Sequence, residues 1–272
     1  MNSKENKFFL FVFVATLAAA AWLRFPYIFS ESMWSDEGLY CWFGKQVFSN
    51  PLLLFSREVS RDHPPLFVAL LALGHFFLSP EIACRFVIFV IYLLGIWAIY
   101  RLGVKVRSPF VGLLSAILLA FNLSYFFLST RILNDVPFAV FVLFFMTALL
   151  GTKESQLDVY DWKATFLGSL AIMTKTGGYL LIPIVVIYYA IALKSTPLSL
   201  RLKKIALVAG AMAMVQGGLI FNNYLHLGEG HLGHSVVNFF PTGDITHKIQ
   251  DIFSVCCHPL IVILGHYCPN VH

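Results

Sequence analysis

Two adjacent carboxylates, Asp36 and Glu37, follow the first apolar stretch and are the first residues of the chain suited to chemistry. A carboxylate at the end of an apolar segment can act as a general base or bind a metal ion. The same pair also suits the start of the amphipathic stretch Leu39–Phe48, with Asp36 as the N-cap and Glu37 favourable to the helix dipole. The residue types alone leave both interpretations open.

A second group is Arg61–Pro65, which reads Arg-Asp-His-Pro-Pro. The two prolines would end one helix and open the next, and this alone could explain them. The cations offer a different interpretation, because Arg61 or His63 could bind an anionic partner such as a phosphate.

In a third group, Arg131 and Asp135 lie four residues apart, just before the apolar run that begins at Val136. Asp135 fits the N-cap of a helix with Pro137 in its first turn. Ionic side chains at the edge of a bilayer carry a free-energy cost when they have no partner. Arg131 could therefore pair with Asp135 or with a lipid phosphate.

The fourth group, Thr174–Gly178, lies between two short apolar segments. A lysine, hydroxyl groups and backbone amides at the start of a helix can form an anion site. The order of the residues is not that of a phosphate-binding P-loop. The alternative is a snorkelling Lys175 beside a glycine turn.

The composition indicates that membrane helices position these four groups. The 272 residues are 58% hydrophobic and only 12% charged, with a mean hydropathy of +0.78. Soluble domains carry about 25% charged residues, so a soluble enzyme, a disordered protein and a secreted disulfide scaffold are excluded. The apolar stretches do not alternate, which argues against a β-barrel. The five cysteines include no CxxC pair and indicate no disulfide framework.

The expected fold class is all-α, a polytopic transmembrane helical bundle with an interfacial helix in the first external loop, about residues 29–63. Residues 1–224 would form the membrane module, and 225–272 an external loop with a weak, incomplete last segment. The first apolar stretch could be a signal peptide, but it continues past Trp22, which favours a first helix. The predicted segments are Phe8–Leu23, Pro64–Leu78, Ile82–Tyr100, Phe110–Leu128, Val136–Leu150, Ala164–Thr174, Tyr179–Leu193, Ile205–Phe221 and Ile249–Leu264.

The distribution of lysine and arginine predicts the orientation of these segments. If Pro64–Leu78 stays at the outer face without crossing, most of the basic residues fall in the cytoplasm, as the positive-inside rule requires. The N-terminus is then cytoplasmic, and all four groups lie on the external face. Ala164–Thr174 and Tyr179–Leu193 would form a helical hairpin with Lys175 at its tip. The basic residues behind the net charge of +5 set the orientation in the membrane, and the charge indicates no nucleic-acid partner.

Taken together, the four groups resemble the GT-C superfamily of membrane glycosyltransferases. The likeness is closest to the branch of protein O-mannosyltransferases (glycosyltransferase family 39) and aminoarabinose transferases. It is more distant to the catalytic subunit of oligosaccharyltransferase. The motifs that carry it are Trp34–Tyr40, Asp62–Leu66, Arg131–Pro137 and Met173–Gly178, and it covers about residues 22–193.

The resemblance implies an inverting transferase that moves a sugar from a polyprenyl-phosphate donor to an acceptor hydroxyl on the external face. Asp36 would be the general base, Glu37 its support, and Asp135 the second acid of the family. His63, Arg131 and Lys175 would bind the donor phosphate. A divalent metal, Mg²⁺ or Mn²⁺, would be held by Asp36, Glu37 and Asp135 if one takes part.

The resemblance also sets the expected partners and location. The acceptor would be a protein, a glycan or a lipid, and the membrane would be a plasma (inner) membrane, or the endoplasmic reticulum in a eukaryote. Members of the superfamily are usually longer, so the chain is expected to lack a C-terminal part. Two other functions remain open from the residues, a transporter or flippase for lipid-linked saccharide and a non-catalytic membrane subunit.

Overall fold

The computed structural model of the chain describes residues 3–56, 59, 65–76, 79–154 and 156–227. The chain divides into two units, and all the elements described below belong to the first, Met1–Gly230. Within the described ranges every regular element is a helix, which confirms the all-α fold class. The loop and last segment predicted for 225–272 lie, apart from the end of one helix, outside the described residues.

Eleven α-helices and two 3₁₀ turns make up the described part of the chain. The 3₁₀ turns are Pro51–Phe55 and Thr176–Leu180. The α-helices are α1 Ser3–Arg24, α2 Tyr27–Ser30, α3 Ser35–Ser49, α4 Pro65–Gly74, α5 Pro80–Val106, α6 Pro109–Ala120, α7 Leu123–Thr130, α8 Asp135–Leu149, α9 Val159–Thr174, α10 Leu181–Ala192 and α11 Leu198–Leu227.

Three stretches in the described residues are long and apolar enough to cross a membrane, namely Lys7–Ser30, Pro80–Val106 and Leu198–Asn222. The bent pair of α6 and α7 makes a fourth if it counts as one span. This finding, with the apolar composition, makes the chain an integral membrane protein. Helix α4 has 10 residues and is therefore about 15 Å long, roughly half the hydrocarbon thickness of a bilayer.

The segment Phe110–Leu128, predicted as one uninterrupted helix, is broken in the structure. Helices α6 and α7 meet at an angle of 58°. The cause is Asn122, whose side-chain oxygen accepts a hydrogen bond from the backbone N–H of Tyr125 at 2.8 Å and so caps a new helix. The prediction missed this break because apolar residues continue on both sides of Asn122.

The two largest apolar clusters of the core share α8. One cluster joins α1, α5, α6, α7 and α8, and the other joins α8, α9, α10 and α11. Helices α5 and α6 cross so closely that a Cβ atom on Gly103 would lie 2.6 Å from the Cα atom of Gly112. Large apolar side chains also remain on the outside, Trp22 among them at 81% exposure, as expected of a surface that faces lipid.

The predicted helical hairpin is present as α9 and α10. The phenol of Tyr189, near the end of α10, donates to the Asp161 carboxylate at the start of α9 at 2.7 Å. The amine of Lys204, from α11, lies 2.8 Å from the other oxygen of Asp161, and both side chains are fully buried. This ionic contact fixes one end of the hairpin and leaves Lys175 at the opposite tip.

Candidate active site

The tip of the hairpin, the start of α3 and the junction between α7 and α8 hold the ionic side chains singled out by the sequence. Helix α8 begins at Asp135, and Lys175 terminates α9. Helix α3 begins at Ser35, so that Asp36 and Glu37 both lie in its first turn. These helix ends bring together three of the four predicted groups.

Glu37 joins the first turn of α3 to the chain that leads into α8. One of its carboxylate oxygens accepts the backbone N–H of Trp34, and the other accepts the N–H of Ile132, each at 2.8 Å. The side chain is fully buried. Because a buried carboxylate needs partners for both oxygens, Glu37 is a fixed link between two segments that lie far apart in sequence.

The side chain of Arg131 binds residues of the first loop. Its guanidinium donates to the backbone oxygen of Ser32 at 3.1 Å and lies 3.3 Å from the Glu31 carboxylate. It also lies 3.9 Å from Glu37. The guanidinium carbon stands 4.2 Å from the centre of the Trp34 ring, in a cation–π contact. The carboxylate neighbours of Arg131 in this structure are therefore Glu31 and, more distantly, Glu37; of the two partners that the sequence left open, Asp135 is not paired with it.

Two further buried arginines, outside the four groups predicted from the sequence, support the same junction. Arg85, in α5, donates to the backbone oxygens of Glu31 at 3.0 Å and Thr130 at 3.3 Å. Arg24, at the end of α1, donates to the side chain of Ser129 at 3.1 Å and also to its carbonyl oxygen. An unpaired arginine in a membrane segment carries a large free-energy cost. The presence of Arg24 and Arg85 in or beside apolar stretches was therefore a signal that both have buried partners.

Lys175 and Asp135 form the most accessible ion pair of this region. The Lys175 amine lies 2.6 Å from a carboxylate oxygen of Asp135, and the two side chains are 37% and 40% exposed. The pair joins the tip of the hairpin to the first residue of α8. Water reaches both groups, so either one can exchange its partner for a ligand at small cost.

Asp36 is exposed, next to the buried Glu37. It is not the N-cap of α3, because the helix begins one residue earlier and Glu37 takes the capping role toward Trp34. Asp135 is likewise the first residue of α8 and not its N-cap, whereas Pro137 lies in the first turn as predicted. His63, with its neighbours Arg61 and Asp62, lies outside the described residues.

The carboxylates of this region do not fit a metal ion held jointly by Asp36, Glu37 and Asp135. In the described part of the chain, no three side chains of His, Cys, Asp or Glu stand close enough to share one. Both oxygens of Glu37 already accept backbone N–H groups, so this residue would have to leave two hydrogen bonds to become a ligand.

Comparison with known protein families identifies the relatives of this membrane bundle. The family model for dolichyl-phosphate-mannose-protein mannosyltransferase matches residues 62–220, more than half of the chain. The chain therefore belongs to this family, which confirms the resemblance to the GT-C glycosyltransferases. Membership indicates a membrane glycosyltransferase of the mannosyltransferase type with a lipid-linked sugar donor. None of the curated protein sequences compared with the chain matches it.

Proposed function

We propose that the chain transfers a sugar from a polyprenyl-phosphate donor to an acceptor hydroxyl on the external face of the membrane, with inversion at the anomeric carbon. The observation that carries the proposal is the accessible pair of Lys175 and Asp135, at 2.6 Å, beside a junction tied to the first turn of α3. The N-terminus is then cytoplasmic. The acceptor belongs to a protein, a glycan or a lipid.

Asp36 is the proposed general base. The acceptor oxygen attacks the anomeric carbon as the bond to the carrier's phosphate oxygen breaks, and the Asp36 carboxylate accepts the hydroxyl proton. Its exposure suits this role, because the acceptor has to reach the carboxylate directly. A positioned base of this kind contributes about 10²–10⁴-fold to the rate.

Lys175 is the proposed cation for the departing phosphate. Negative charge develops on the departing phosphate in the transition state, and a preorganised positive charge beside it stabilises that state. Asp135 holds the amine in place before the donor binds, because their contact fixes the tip of the hairpin against α8. His63 is proposed as a second phosphate ligand on the basis of the sequence resemblance alone.

Arg131 and Glu37 have a different proposed role, which their contacts support. Glu37 is fully buried and linked to two backbone N–H groups, so it positions Asp36 and does not touch the substrate. The guanidinium of Arg131 already lies against Glu31, Ser32 and Trp34. A phosphate would have to compete with these contacts, so we assign Arg131 to holding the first loop.

The test is sugar transfer by purified chain in lipid vesicles, with radiolabelled mannosyl phosphates of polyprenols as donors. Asp36→Asn should lower transfer by about 10²-fold or more while donor binding is kept. Glu154→Gln is the matched control, because Glu154 is an exposed carboxylate in the loop after α8, where it accepts a hydrogen bond from the Ser195 hydroxyl at 2.9 Å. Full transfer by Asp36→Asn would refute the base assignment, whereas no transfer by the parent chain would favour a transporter or a non-catalytic subunit.

A further inference from the structure

Two lysines share one aromatic ring at the end of the bundle away from the candidate active site. The Nζ atom of Lys105, in the last turn of α5, lies 4.0 Å from the centre of the Tyr160 ring in α9. The Nζ atom of Lys163, three residues further along α9, lies 5.4 Å from the same centre. Arg85 and Lys105 are at opposite ends of α5, about 30 Å apart along the helix, which is close to the thickness of a bilayer's hydrocarbon core.

Gly151, two residues after α8, leaves the space that the Lys105 amine occupies. A Cβ atom at this position would overlap both the amine and the Tyr160 ring. The end of α5, the chain after α8 and the start of α9 therefore set the position of the amine together. A ligand that binds the amine finds it already in place, which lowers the entropy cost of binding.

The three acidic residues between α8 and the first turn of α9 have partners other than these lysines. Both oxygens of Asp158 accept backbone N–H groups of its own loop and helix. The Asp161 carboxylate is buried in its ion pair with α11, and Glu154 accepts a hydroxyl group. Among the residues that the structure describes, neither Lys105 nor Lys163 forms an ion pair. Both are exposed, so two positive charges without a counterion face the surroundings.

Exposed apolar side chains lie beside the two lysines. Trp162, which precedes Lys163, is 59% exposed, and Phe166, one turn further along α9, is 63% exposed. On α5, the guanidinium carbon of Arg101 stands 5.9 Å from the centre of the Trp97 ring. Tryptophan beside basic side chains is typical of the boundary between hydrocarbon and lipid headgroups. A ligand that suits this surface has an anionic head and apolar chains.

We propose that Lys105 and Lys163, held beside Tyr160, bind the phosphate of an anionic phospholipid in the leaflet away from the candidate active site. The two amines donate charge-assisted hydrogen bonds to the phosphate oxygens, and the apolar side chains of α9 meet the acyl chains. The inference rests on the proposed function only for the name of the leaflet, which the proposed orientation makes the cytoplasmic one. The alternative is a solvated basic surface with no preference among lipids.

Native mass spectrometry of the purified chain tests the preference. The chain is released from micelles that contain equal amounts of phosphatidylglycerol and phosphatidylcholine with the same acyl chains. We expect the parent to retain phosphatidylglycerol in preference to phosphatidylcholine. The double variant Lys105→Gln, Lys163→Gln should bind phosphatidylglycerol about 25-fold more weakly, since each lysine near an anionic lipid contributes about fivefold.

A second double variant, Lys194→Gln with Lys203→Gln, is the matched control. It removes the same charge from two exposed lysines, at the end of α10 and in α11, and it should bind phosphatidylglycerol nearly as the parent does. Equal retention of the two lipids by the parent, or an equal loss in the two double variants, would overturn the proposal.

A variant that keeps every charge tests the position of the amine. Gly151→Ala should displace the Lys105 amine and weaken phosphatidylglycerol binding about fivefold, whereas Gly210→Ala, with nothing within 4 Å, should leave it unchanged. Unchanged binding by Gly151→Ala would refute a built site.

Two further measurements identify the occupant and separate this result from the enzymatic proposal. Glycerol phosphate, the soluble part of the headgroup, should not displace the lipid at the same concentration; displacement would assign the site to a soluble anion and overturn the lipid as its occupant. Asp36→Asn should bind phosphatidylglycerol as the parent does, because the two sites lie at opposite ends of the bundle. Loss of transfer with intact lipid binding, or the reverse, therefore tells which of the two proposals has failed.

Discussion

Replacing Glu37 by glutamine tests whether the two carboxylates in the first turn of α3 have different roles, Glu37 in stability and Asp36 in catalysis. The Glu37 carboxylate accepts two backbone N–H groups at 2.8 Å and is fully buried. A glutamine has the same shape but offers one oxygen and one NH₂ group. The NH₂ group would face either Trp34 or Ile132, whose N–H is also a donor, so one buried hydrogen bond is lost.

The expected loss of stability is about 2–3 kcal/mol, because a hydrogen bond to a charged group contributes about 1.5–3 kcal/mol and a buried donor remains unpaired. This corresponds to about a 30- to 150-fold change in the unfolding equilibrium, at about 1.4 kcal/mol for each factor of ten. The charge of Arg131, 3.9 Å away, also loses one of its two carboxylate neighbours. Asp36→Asn, at an exposed position, should cost less stability than Glu37→Gln.

The assay is reversible unfolding of the purified chain in mixed micelles, followed by tryptophan fluorescence as the fraction of dodecyl sulfate is raised. Glu37→Gln should unfold at a lower fraction of dodecyl sulfate than both the parent and Asp36→Asn. The transfer assay then shows that Asp36→Asn, although folded, transfers sugar about 10²-fold more slowly or worse, so that its loss of activity does not follow from a loss of stability. Equal stability of Glu37→Gln and the parent would refute the reasoning, as would an equal loss in both variants.

Two other substitutions test the packing that supports the site. Lys204→Met should cost about 3–5 kcal/mol, because it leaves the fully buried carboxylate of Asp161 without a cation, and the double variant with Asp161→Asn should recover part of this loss in the same unfolding assay. Gly103→Ala should cost about 1–3 kcal/mol, since its Cβ atom would lie 2.6 Å from Gly112 Cα, whereas Gly210→Ala, with nothing within 4 Å, should not lower the unfolding midpoint.

Helix positions and the location of the polar groups could be predicted because both depend on local sequence. An uninterrupted apolar run indicates a membrane helix, and ionic residues at its ends stay near its ends when it folds. This is why the hairpin tip with Lys175 and the start of α8 at Asp135 were predictable. The break at Asn122 was not, because one polar residue within an apolar run does not reveal which backbone N–H it will cap.

The partners of each charge depended on tertiary packing and were harder to predict. Glu37 was expected to assist catalysis, although its position three residues after Trp34 is also that of a capping glutamate. Arg24 and Arg85 were missed because both lie in apolar stretches that were interpreted only as spans. Their carbonyl partners, on Ser129 and Thr130, belong to α7. No local sequence pattern indicates that α7 packs beside these arginines.

Burial divides the charges of this bundle into those that can support structure and those that can meet a substrate. Glu37 and Arg85 have almost no exposed surface, and both oxygens of Glu37 and both terminal nitrogens of Arg85 bond to backbone groups of the first loop and the junction before α8. A ligand could bind them only by breaking these contacts. Lys175 and Asp135 are more than one-third exposed and contact each other, so the pair can open without disturbing the core. Substitutions in the buried set should therefore reduce stability and transfer together, while those in the exposed set should reduce transfer alone.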